Sequence, residues 1–395
     1  MGFPRPPDFN DFGASASRLP TSRRTRPPAT ANKLPSSPLP VLALYDVPAP
    51  AKLNLFLHVV GKRPDGYHLL QSLFVLIDWA DTLHFERRSD GALHRHDQGD
   101  ALPADDLCLR AARALQSASG VSFGADIHIE KRLPAGAGMG GGSSDAASTL
   151  LALNRLWGLN WPRSRLLPLA LKLGADVPFF VGGRNAFVEG IGEILHAVRV
   201  PPTRLAVVKP QVSIGTKEIF SSPLLQRSRS VAIVAGSPAV NGRNTNHGGV
   251  EIPGNTLGSP GNSAITMANE ILDTEGEATL EKLIEHAVSG WGRNDLQPPA
   301  EAASSEVSDA LHWLQTRYGN SRMTGSGSAV FAILSASQQD ADDSNASLGS
   351  NSKATSEAKA NGSLNNSLPF DLPPKWAGRM CRSLEVHPLL GWADD

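Results

Sequence analysis

The apolar residues near the start of the chain alternate with polar ones, and this alternation predicts a strand. Leucine or valine occupies every second position from Leu53 to Val59, and Lys52 and Asn54 lie on either side of Leu53. A period of two residues places successive side chains on opposite faces of a strand. We therefore expect Lys52 and Asn54 to be neighbours on one face. A second apolar run, residues 69–77, predicts the next strand.

Further along, apolar residues recur at the three- and four-residue spacing of helices. The spacing predicts helices over residues 106–117, 146–157, 161–173, 278–288 and 306–318, and another near 375–383. Strands are predicted near residues 127–130, 185–194, 204–209 and 384–387, and on either side of a turn at 324–327. The chain contains no internal repeat, so a repeat architecture is excluded.

A glycine-rich turn separates the strand at 127–130 from the helix at 146–157. This turn, Pro134 to Asp145, holds five glycines in the seven residues 136–142. Glycine allows a turn to curl tightly and to direct several backbone N–H groups at one point. The helix that follows adds unpaired N–H groups and the positive end of its dipole, and Ser143 and Ser144 are expected to cap it. The turn therefore predicts an anion site, with phosphate as the usual anion.

Three interpretations of this turn remain open from its residues alone. They are a flexible glycine turn, a dinucleotide site and a nucleotide triphosphate site. Gly136, Gly138 and Gly141 match G-x-G-x-x-G, but a dinucleotide fold needs an acidic residue about 20 positions later. No Asp or Glu occurs between Asp145 and Asp176. Walker loops are excluded because no G-K-[ST] follows, and protein kinases are excluded because H-R-D is absent.

Asp176 stands out because it follows a predicted helix and precedes an apolar run. Pro178 predicts an extended Val177, which places Asp176 in a turn. The neighbours Val177, Phe179 and Phe180 predict partial burial. A partly buried carboxylate is either paired for structural reasons or acts as a base, and the residue alone does not decide between them.

Composition excludes several classes of protein. Lys and Arg number 37 against 38 Asp and Glu, which gives no support to a nucleic-acid or anionic-membrane partner. The two cysteines, Cys108 and Cys381, have neither metal-site spacing nor a disulfide framework, as in a reducing cytosol. No apolar run approaches the roughly 18 residues of a membrane span. We therefore expect a cytoplasmic protein.

Three segments are expected to be disordered because they lack apolar periodicity. They are an N-terminal tail, residues 1–43, and two insertions at about 222–268 and 337–369. The tail is rich in Arg, Ser and Pro, so a plastid transit peptide is the alternative to a cytoplasmic location. The ordered parts are expected to form two domains, residues 44–202 and 203–395.

Three blocks in this order resemble the GHMP small-molecule kinases: Pro50–Asn54, Pro134–Asp145 and Thr324–Gly327. The blocks at 61–69, 173–178 and 189–195 are similar to one branch of that family. This branch phosphorylates the 2-hydroxyl of a cytidine diphosphate-linked methylerythritol in the non-mevalonate isoprenoid precursor pathway. The resemblance covers residues 44–221, 270–335 and 372–390, and no motif is interrupted by an insertion.

The resemblance implies a two-domain α+β fold. Its N-terminal domain is nucleotide-binding and similar to ribosomal protein S5, and its C-terminal domain is ferredoxin-like. It also implies ATP as phosphoryl donor, Mg²⁺ as cofactor and the cytidine diphosphate-methylerythritol as small-molecule partner. Neither a nucleic acid nor a membrane is expected as a partner, and the protein is expected to be a monomer or a weak homodimer.

The resemblance assigns roles to residues position by position. Lys52 and Asp176 match the catalytic pair, and Asn54, Tyr67 and His68 match substrate-binding residues. The ATP-binding residues are Pro134, Ala135, Gly136, Ala137, Gly138, Met139, Gly140, Gly141, Gly142, Ser143 and Ser144. The loop expected close to the phosphates is Thr324, Gly325, Ser326 and Gly327. The metal ligands are left open, with Ser143 or Ser144 in reach.

The chemistry agrees with these assignments. An alcohol is a poor nucleophile at neutral pH, so a carboxylate such as Asp176 must accept its proton. A nearby cation such as Lys52 keeps that carboxylate ionised and stabilises developing charge. Two alternatives remain: another GHMP kinase, for mevalonate or homoserine, and a sensor that binds nucleotide without turnover. The block Asp65–His68 speaks against the first, and the presence of both Lys52 and Asp176 speaks against the second.

Overall fold

The computed structural model describes residues 41–99, 101–228, 233–234, 278–335, 338, 368 and 371–395. The predicted disordered tail and both insertions lie almost entirely outside these residues. Among the described residues, no helix is long and apolar enough to cross a membrane.

The first sheet is built around a long hairpin. Its strands are β1 (Ala43–Lys62), β2 (His68–Arg88), β3 (Leu93–Gln98), β4 (Gly124–Glu130), β5 (Ala186–Glu189) and β6 (Ile194–Ala197). β1 pairs antiparallel with β2 along nearly its whole length, with Lys52 opposite Leu76 and Asn54 opposite Phe74. The other edge of β2 pairs with β5 near its start and with β4 near its end. β3 runs parallel to β4, and the crossover between them contains a helix.

Four helices belong to this half of the chain: α1 (Leu107–Ser119), α2 (Gly141–Leu156), α3 (Arg163–Leu173) and α4 (Val177–Gly182). Asp106 caps α1 by accepting from the Leu109 N–H, and Gly120 ends it in the left-handed conformation that glycine tolerates. Fully buried side chains of α2, including Leu150 and Leu153, share a core with those of β2 and β4. The sheet therefore holds the N-terminus of α2 beside β1.

The second sheet has four antiparallel strands in the order β10 (Arg322–Met323), β11 (Val330–Ile333), β7 (Arg204–Lys209) and β12 (Ala377–Arg382). Its helices are α5 (Thr216–Ser221), α6 (Leu280–Val288), α7 (Gln297–Ala303) and α8 (Ser305–Tyr318), and the two-residue strands β8 (Ile233–Val234) and β9 (Ala278–Thr279) pair with each other. Leu53 and Leu55 of β1 share a core with Val207 of β7 and Phe331 of β11. The predicted apolar face of β1 is therefore covered by the second sheet.

Several predictions of local structure were wrong. Residues 384–387 do not form a strand, because Val386 makes only an isolated bridge with Arg184. The strand predicted at 185–194 is two strands, β5 and β6, because residues 190–193 form a turn.

Residues 375–383 do not form a helix, because residues Ala377 to Arg382 pair in register with β7 as its edge partner. Pairing with β7 and burial against the second sheet outweigh the local helical spacing of these residues. Val177 is not extended, because it begins α4 with Pro178 in the first turn. Proline is tolerated there, since its missing N–H has no helical partner to lose.

Residues 383–395 return to the first half of the chain and pack against α3 and α4. The guanidinium of Arg163 is 5% exposed and donates to the carbonyl oxygens of Val181, Leu390 and Ala393. It also donates to the carboxylate of Asp395 at 2.8 Å. This single side chain therefore ties the end of α4 to the segment that follows β12.

Because His387 in the same segment is buried, we expect the stability of the fold to decrease at acidic pH. Burial lowers its pKa from the ordinary 6.5 to about 3, and the nearby Arg163 acts in the same direction. The unfolded chain binds a proton below pH 6.5 that the native His387 rejects, so stability falls as the pH falls from 6.5 towards 3. We expect a loss of about 2 kcal/mol between pH 6.5 and pH 5 from this residue.

Urea unfolding at pH 7 and pH 5 measures this contribution when the wild type is compared with His387→Asn. The imidazole Nδ1 accepts from the Leu389 N–H at 3.1 Å, and the asparagine oxygen is able to replace that acceptor. The variant should lose less stability on acidification than the wild type. An equal loss in both proteins would contradict the assignment.

Candidate active site

A cavity of about 490 Å³ lies where six parts of the fold meet. Its walls come from β1, the glycine-rich turn before α2, the β1–β2 hairpin tip, the start of α4, and the loops at α5 and between β10 and β11. The residues from these elements include Lys52, Asn54, Tyr67, His68, Gly136, Gly138, Gly140, Asp176, Phe220, Gly325, Ser326 and Gly327. The structure thus brings most of the sequence-predicted site residues to one cavity.

Lys52 and Asp176 face each other in this cavity. The Lys52 Nζ lies 3.6 Å from the Asp176 Oδ2, and the two side chains are 4% and 31% exposed. The ammonium also lies 4.5 Å from the centre of the Phe74 ring, which offers a favourable cation–π contact. Burial lowers the pKa of the Lys52 ammonium from its ordinary 10.5, while the Asp176 carboxylate acts in the opposite direction. A buried cation therefore sits beside a carboxylate that solvent and ligands reach.

Asp176 owes its position to α4. It occupies the N-cap of this helix with α-helical backbone angles, and its side chain does not cap the helix. Val177, Phe179 and Phe180 are buried and anchor α4 in the core of the first half. The apolar run predicted from the sequence thus fixes the backbone, and the carboxylate at its start points towards Lys52.

The first glycine loop has a backbone conformation that favours glycine at three positions. Gly136, Gly138 and Gly140 all have positive φ, in the left-handed region that favours glycine. Gly140 is the N-cap of α2, so the expected cap by Ser143 and Ser144 is wrong. The Ser144 hydroxyl instead donates to the Pro50 carbonyl at 2.7 Å, and this bond ties α2 to β1.

The second glycine loop packs directly against the first. A Cβ added at Gly138 would lie 2.4 Å from the Thr324 carbonyl oxygen, and one at Gly325 would lie 2.5 Å from the Gly138 carbonyl oxygen. The N–H of Ser328 donates to the Gly136 carbonyl at 3.2 Å. Close approach of two backbones therefore explains glycine at both positions. Gly325, Ser326 and Gly327 also line the cavity, whereas the Thr324 side chain is fully buried beneath it.

Tyr67 and His68 occupy the far edge of the cavity. Tyr67 is 60% exposed at the hairpin tip, and its N–H is held by the Asp65 carboxylate at 3.2 Å. The His68 ring stacks on Phe220 of α5, with ring centres 5.1 Å apart and an angle of 24° between planes. Burial lowers the pKa of His68, followed in effect by the charges of Lys62 and Arg227. The edge therefore presents aromatic faces together with an imidazole whose lowered pKa favours its neutral form.

Two protein-family models match this chain. The family model for the GHMP kinases N terminal domain matches residues 106–184, and that for the GHMP kinases C terminal region matches residues 277–347. The 4-diphosphocytidyl-2-C-methyl-D-erythritol kinase of Methylibium petroleiphilum is 53% identical over 351 residues, which cover 89% of this chain and 98% of the relative. The chain belongs to the 4-diphosphocytidyl-2-C-methyl-D-erythritol kinase family.

A second relative and a solved structure of the same enzyme name are also similar to this chain. The kinase of that name from Variovorax paradoxus is 48% identical over 351 residues, which cover 89% of this chain and 99% of the relative. The crystal structure of a 4-(cytidine 5'-diphospho)-2C-methyl-D-erythritol kinase superimposes on this chain with a TM-score of 0.56 and 28% sequence identity. The superposition covers 85% of this chain and 98% of the chain in that crystal structure. The predicted GHMP kinase fold and the predicted enzyme class, a small-molecule kinase, are confirmed.

Sequence reasoning missed several residues that this kinase places at the site. Phe220, Thr216 and Ile191 line the cavity but were assigned no role. Phe220 lies close to the first low-complexity insertion, and nothing in its local pattern separates it from a core residue. Thr216 pairs its hydroxyl with that of Ser326 at 2.8 Å across the cavity wall.

A buried charge cluster behind the first glycine loop was also missed. Lys131 donates to the carboxylates of Asp81 and, at 2.6 Å, Asp145. Burial raises the pKa of Asp145, and the Asp81 carboxylate adds to that effect against the pull of Lys131. The cluster fixes the start of the loop to β2, because Asp81 also accepts from the N–H groups of Arg132 and Leu133.

Proposed function

We propose that this chain transfers the γ-phosphoryl group of ATP to the 2-hydroxyl of 4-diphosphocytidyl-2-C-methyl-D-erythritol, in the non-mevalonate isoprenoid precursor pathway. The observation that carries the proposal is the Lys52–Asp176 pair, 3.6 Å apart between the glycine loop on one side and Tyr67 and His68 on the other. The names of relatives up to 53% identical support the same substrate.

In this proposal Asp176 is the general base. Its carboxylate is 31% exposed to the cavity, so it has room to accept the proton of the acceptor hydroxyl as the new P–O bond forms. The Lys52 ammonium, 3.6 Å from this carboxylate, offsets the charge that develops on the transferring oxygens. Phosphoryl transfer demands mainly such positioning and charge neutralisation.

The first glycine loop is proposed to bind the triphosphate. Its residues 136–142 present backbone N–H groups, and the 16-residue helix α2 adds its positive N-terminal end. The second loop contributes Ser326 and Gly327 to the same wall. ATP is the donor expected of a GHMP kinase, and these anion-binding groups support it.

Magnesium is the finer part of the proposal. Among the described residues, no group of three or more His, Cys, Asp or Glu would hold a metal ion. Mg²⁺ in kinases keeps several waters and binds largely through the substrate phosphates, so ATP is proposed to carry the ion into the cavity. Ser143, half-buried in the first turn of α2, is our proposed protein ligand. When bound, the ion would neutralise phosphate charge.

The acceptor is proposed to be recognised through its cytosine by Tyr67 and His68, with Phe220 beside them. Tyr67 and Phe220 offer flat faces for a pyrimidine, and stacking on an aromatic side chain is worth roughly 1–3 kcal/mol per base. Because its pKa is lowered, His68 is neutral and offers one donor and one acceptor to the mixed edge of cytosine.

Discrimination between cytidine and uridine substrates tests base recognition. We expect the wild type to prefer the cytidine substrate, since the uridine edge would leave a partner unpaired. Tyr67→Ala and His68→Ala should each raise KM for the cytidine substrate without changing the KM for ATP or the melting temperature. Tyr45→Ala is a control, because Tyr45 is also 60% exposed but does not line the cavity. Equal turnover of both substrates by the wild type would exclude base recognition.

A coupled assay of ADP release tests the proposed function as a whole. Each acceptor is supplied in turn: the cytidine substrate, mevalonate and homoserine. We expect turnover with the cytidine substrate alone. Preference for another alcohol would assign a different kinase activity, and nucleotide binding without turnover of any acceptor would favour a sensor.

Three further expectations belong to this proposal. They are a cytoplasmic location, a monomer or weak homodimer without nucleic-acid partners, and a domain boundary between residues 202 and 203. The location is supported by relatives that come from species such as Methylibium petroleiphilum and Variovorax paradoxus. The boundary is supported by the two sheets, because the last strand of the first ends at Ala197 and β7 begins at Arg204.

A further inference from the structure

The amide of Asn54 is the centre of a buried hydrogen-bond network beneath the cavity. Its Oδ1 accepts from the Lys52 Nζ at 2.7 Å and from the Thr324 hydroxyl at 3.2 Å. Its Nδ2 donates to the Ser72 hydroxyl at 2.9 Å. Asn54, Ser72 and Thr324 are all 0% exposed. The resemblance to the family implied a substrate-binding role for Asn54, but its amide oxygen faces Lys52.

The two hydroxyl groups determine which way round the Asn54 amide lies in this network. The Ser72 hydroxyl donates its single proton to the Phe56 carbonyl at 2.5 Å, so towards Asn54 it is an acceptor. It therefore faces the amide nitrogen, and the amide oxygen must face Lys52. The Thr324 hydroxyl accepts from the Asn54 N–H at 2.9 Å and gives its own proton to the amide oxygen. Exchanging oxygen and nitrogen in Asn54 would break three of these contacts.

Thr324 reaches the network from the other half of the chain. It lies 270 residues from Asn54, in the loop between β10 and β11. The Asn294 side chain holds this loop on both sides of Thr324 by donating to the carbonyls of Met323 at 2.9 Å and Gly325 at 2.8 Å. The loop between β10 and β11 therefore packs on the first glycine loop and also places the Thr324 hydroxyl against β1.

We propose that Ser72 and Thr324 are positioning residues that orient the Asn54 amide and, through it, the Lys52 ammonium. The inference rests on the proposed phosphoryl transfer and adds to it. The Lys52 side chain is long, and the Asn54 amide oxygen is the nearest group that directs its ammonium, at 2.7 Å against 3.6 Å for the Asp176 carboxylate. Displacements of about 1 Å in a catalytic group reduce rates by as much as 10²-fold. The Thr324 hydroxyl thus serves the lysine rather than the phosphates.

A purely structural network makes a different prediction. Buried polar groups stabilise a fold when they are hydrogen-bonded, wherever they lie. A structural role would therefore lower the melting temperature of a Thr324 variant and leave kcat of the folded enzyme unchanged. A positioning role lowers kcat without raising KM, and it disturbs the environment of Lys52 even without substrate.

The test compares Thr324→Val, which keeps the shape and removes the hydroxyl, with Thr324→Ser, which keeps the hydroxyl. Thr203→Val is the matched control, because Thr203 is 6% exposed and donates to the Pro201 carbonyl outside the cavity. We expect Thr324→Val to lower kcat by about 10- to 100-fold with KM values for ATP and acceptor within twofold. Thr324→Ser and Thr203→Val should stay close to the wild type.

A second measurement does not depend on the acceptor. In protein labelled with ¹³C at lysine Cε, the Lys52 signal is assigned by its loss in Lys52→Met. We expect this signal to shift in Thr324→Val and to keep its position in Thr324→Ser and Thr203→Val. An unmoved signal together with an unchanged kcat would overturn the inference. A wild type without activity on the cytidine substrate but with a displaced Lys52 signal in Thr324→Val would instead refute the proposed function alone.

Discussion

Asp176→Asn is expected to lower kcat by about 10²–10⁴-fold, the usual effect of removing a general base. Asparagine keeps the size of the side chain but does not accept the hydroxyl proton. The fold should be retained, because the Asp176 side chain makes no cap to α4 and is 31% exposed. Burial of Val177, Phe179 and Phe180 holds the helix in either protein.

Steady-state kinetics of the coupled ADP assay and thermal unfolding together check this result. Asp126→Asn is a suitable control, because Asp126 is a 19% exposed carboxylate that pairs with Arg88 at 2.9 Å away from the cavity. This control should keep full kcat. A folded Asp176→Asn enzyme with normal turnover would remove Asp176 from the mechanism.

Lys52→Met is expected to have the second largest effect, a loss of kcat of about 10²–10³-fold. This is the usual cost of removing one group that stabilises transition-state charge. The Asp176 carboxylate would lose the cation 3.6 Å away, and the Asn54 amide oxygen would lose a donor at 2.7 Å. The variant is expected to fold, because the Asp176 side chain is 31% exposed to solvent and the Asn54 oxygen still accepts from the Thr324 hydroxyl.

Lys52→Arg and Lys172→Met provide the comparison for this variant. Arginine keeps the charge but not the compact ammonium that fits between Asn54 and Asp176, so it should restore little activity. Lys172→Met removes an equal charge from the exposed side of α3 and should leave kcat unchanged. An increase in KM for ATP with an unchanged kcat in Lys52→Met would make Lys52 a ligand of ATP rather than a catalytic group.

The parts of this site that the sequence predicted are those set by local backbone rules. Alternation put Lys52 and Asn54 on one face of β1, and clustered glycines predicted the turn before α2, because strand period and positive φ are local properties. The serine cap failed because Gly140 takes the cap position and Ser144 binds the Pro50 carbonyl, a partner 94 residues away. Local spacing carries no information on such a partner.

The features that the sequence did not predict are contacts between distant segments. Phe220 reaches the site by stacking on His68, and Thr324 reaches Asn54 across 270 residues. β12 is a strand only because β7 offers its edge for pairing. Each of these features is decided by tertiary pairing, which overrides the local preference of the residues concerned.

The bonds between Arg163 and the segment after β12 have a consequence for synthesis on the ribosome. The partners Leu390 and Asp395 follow Arg163 by 227 and 232 residues, so α3 and α4 emerge long before them. A buried guanidinium without acceptors is costly, which disfavours native packing around Arg163 in the nascent chain. The α4 helix, which begins just after Asp176, is therefore expected to pack in its final place only after residues 390–395 have been made.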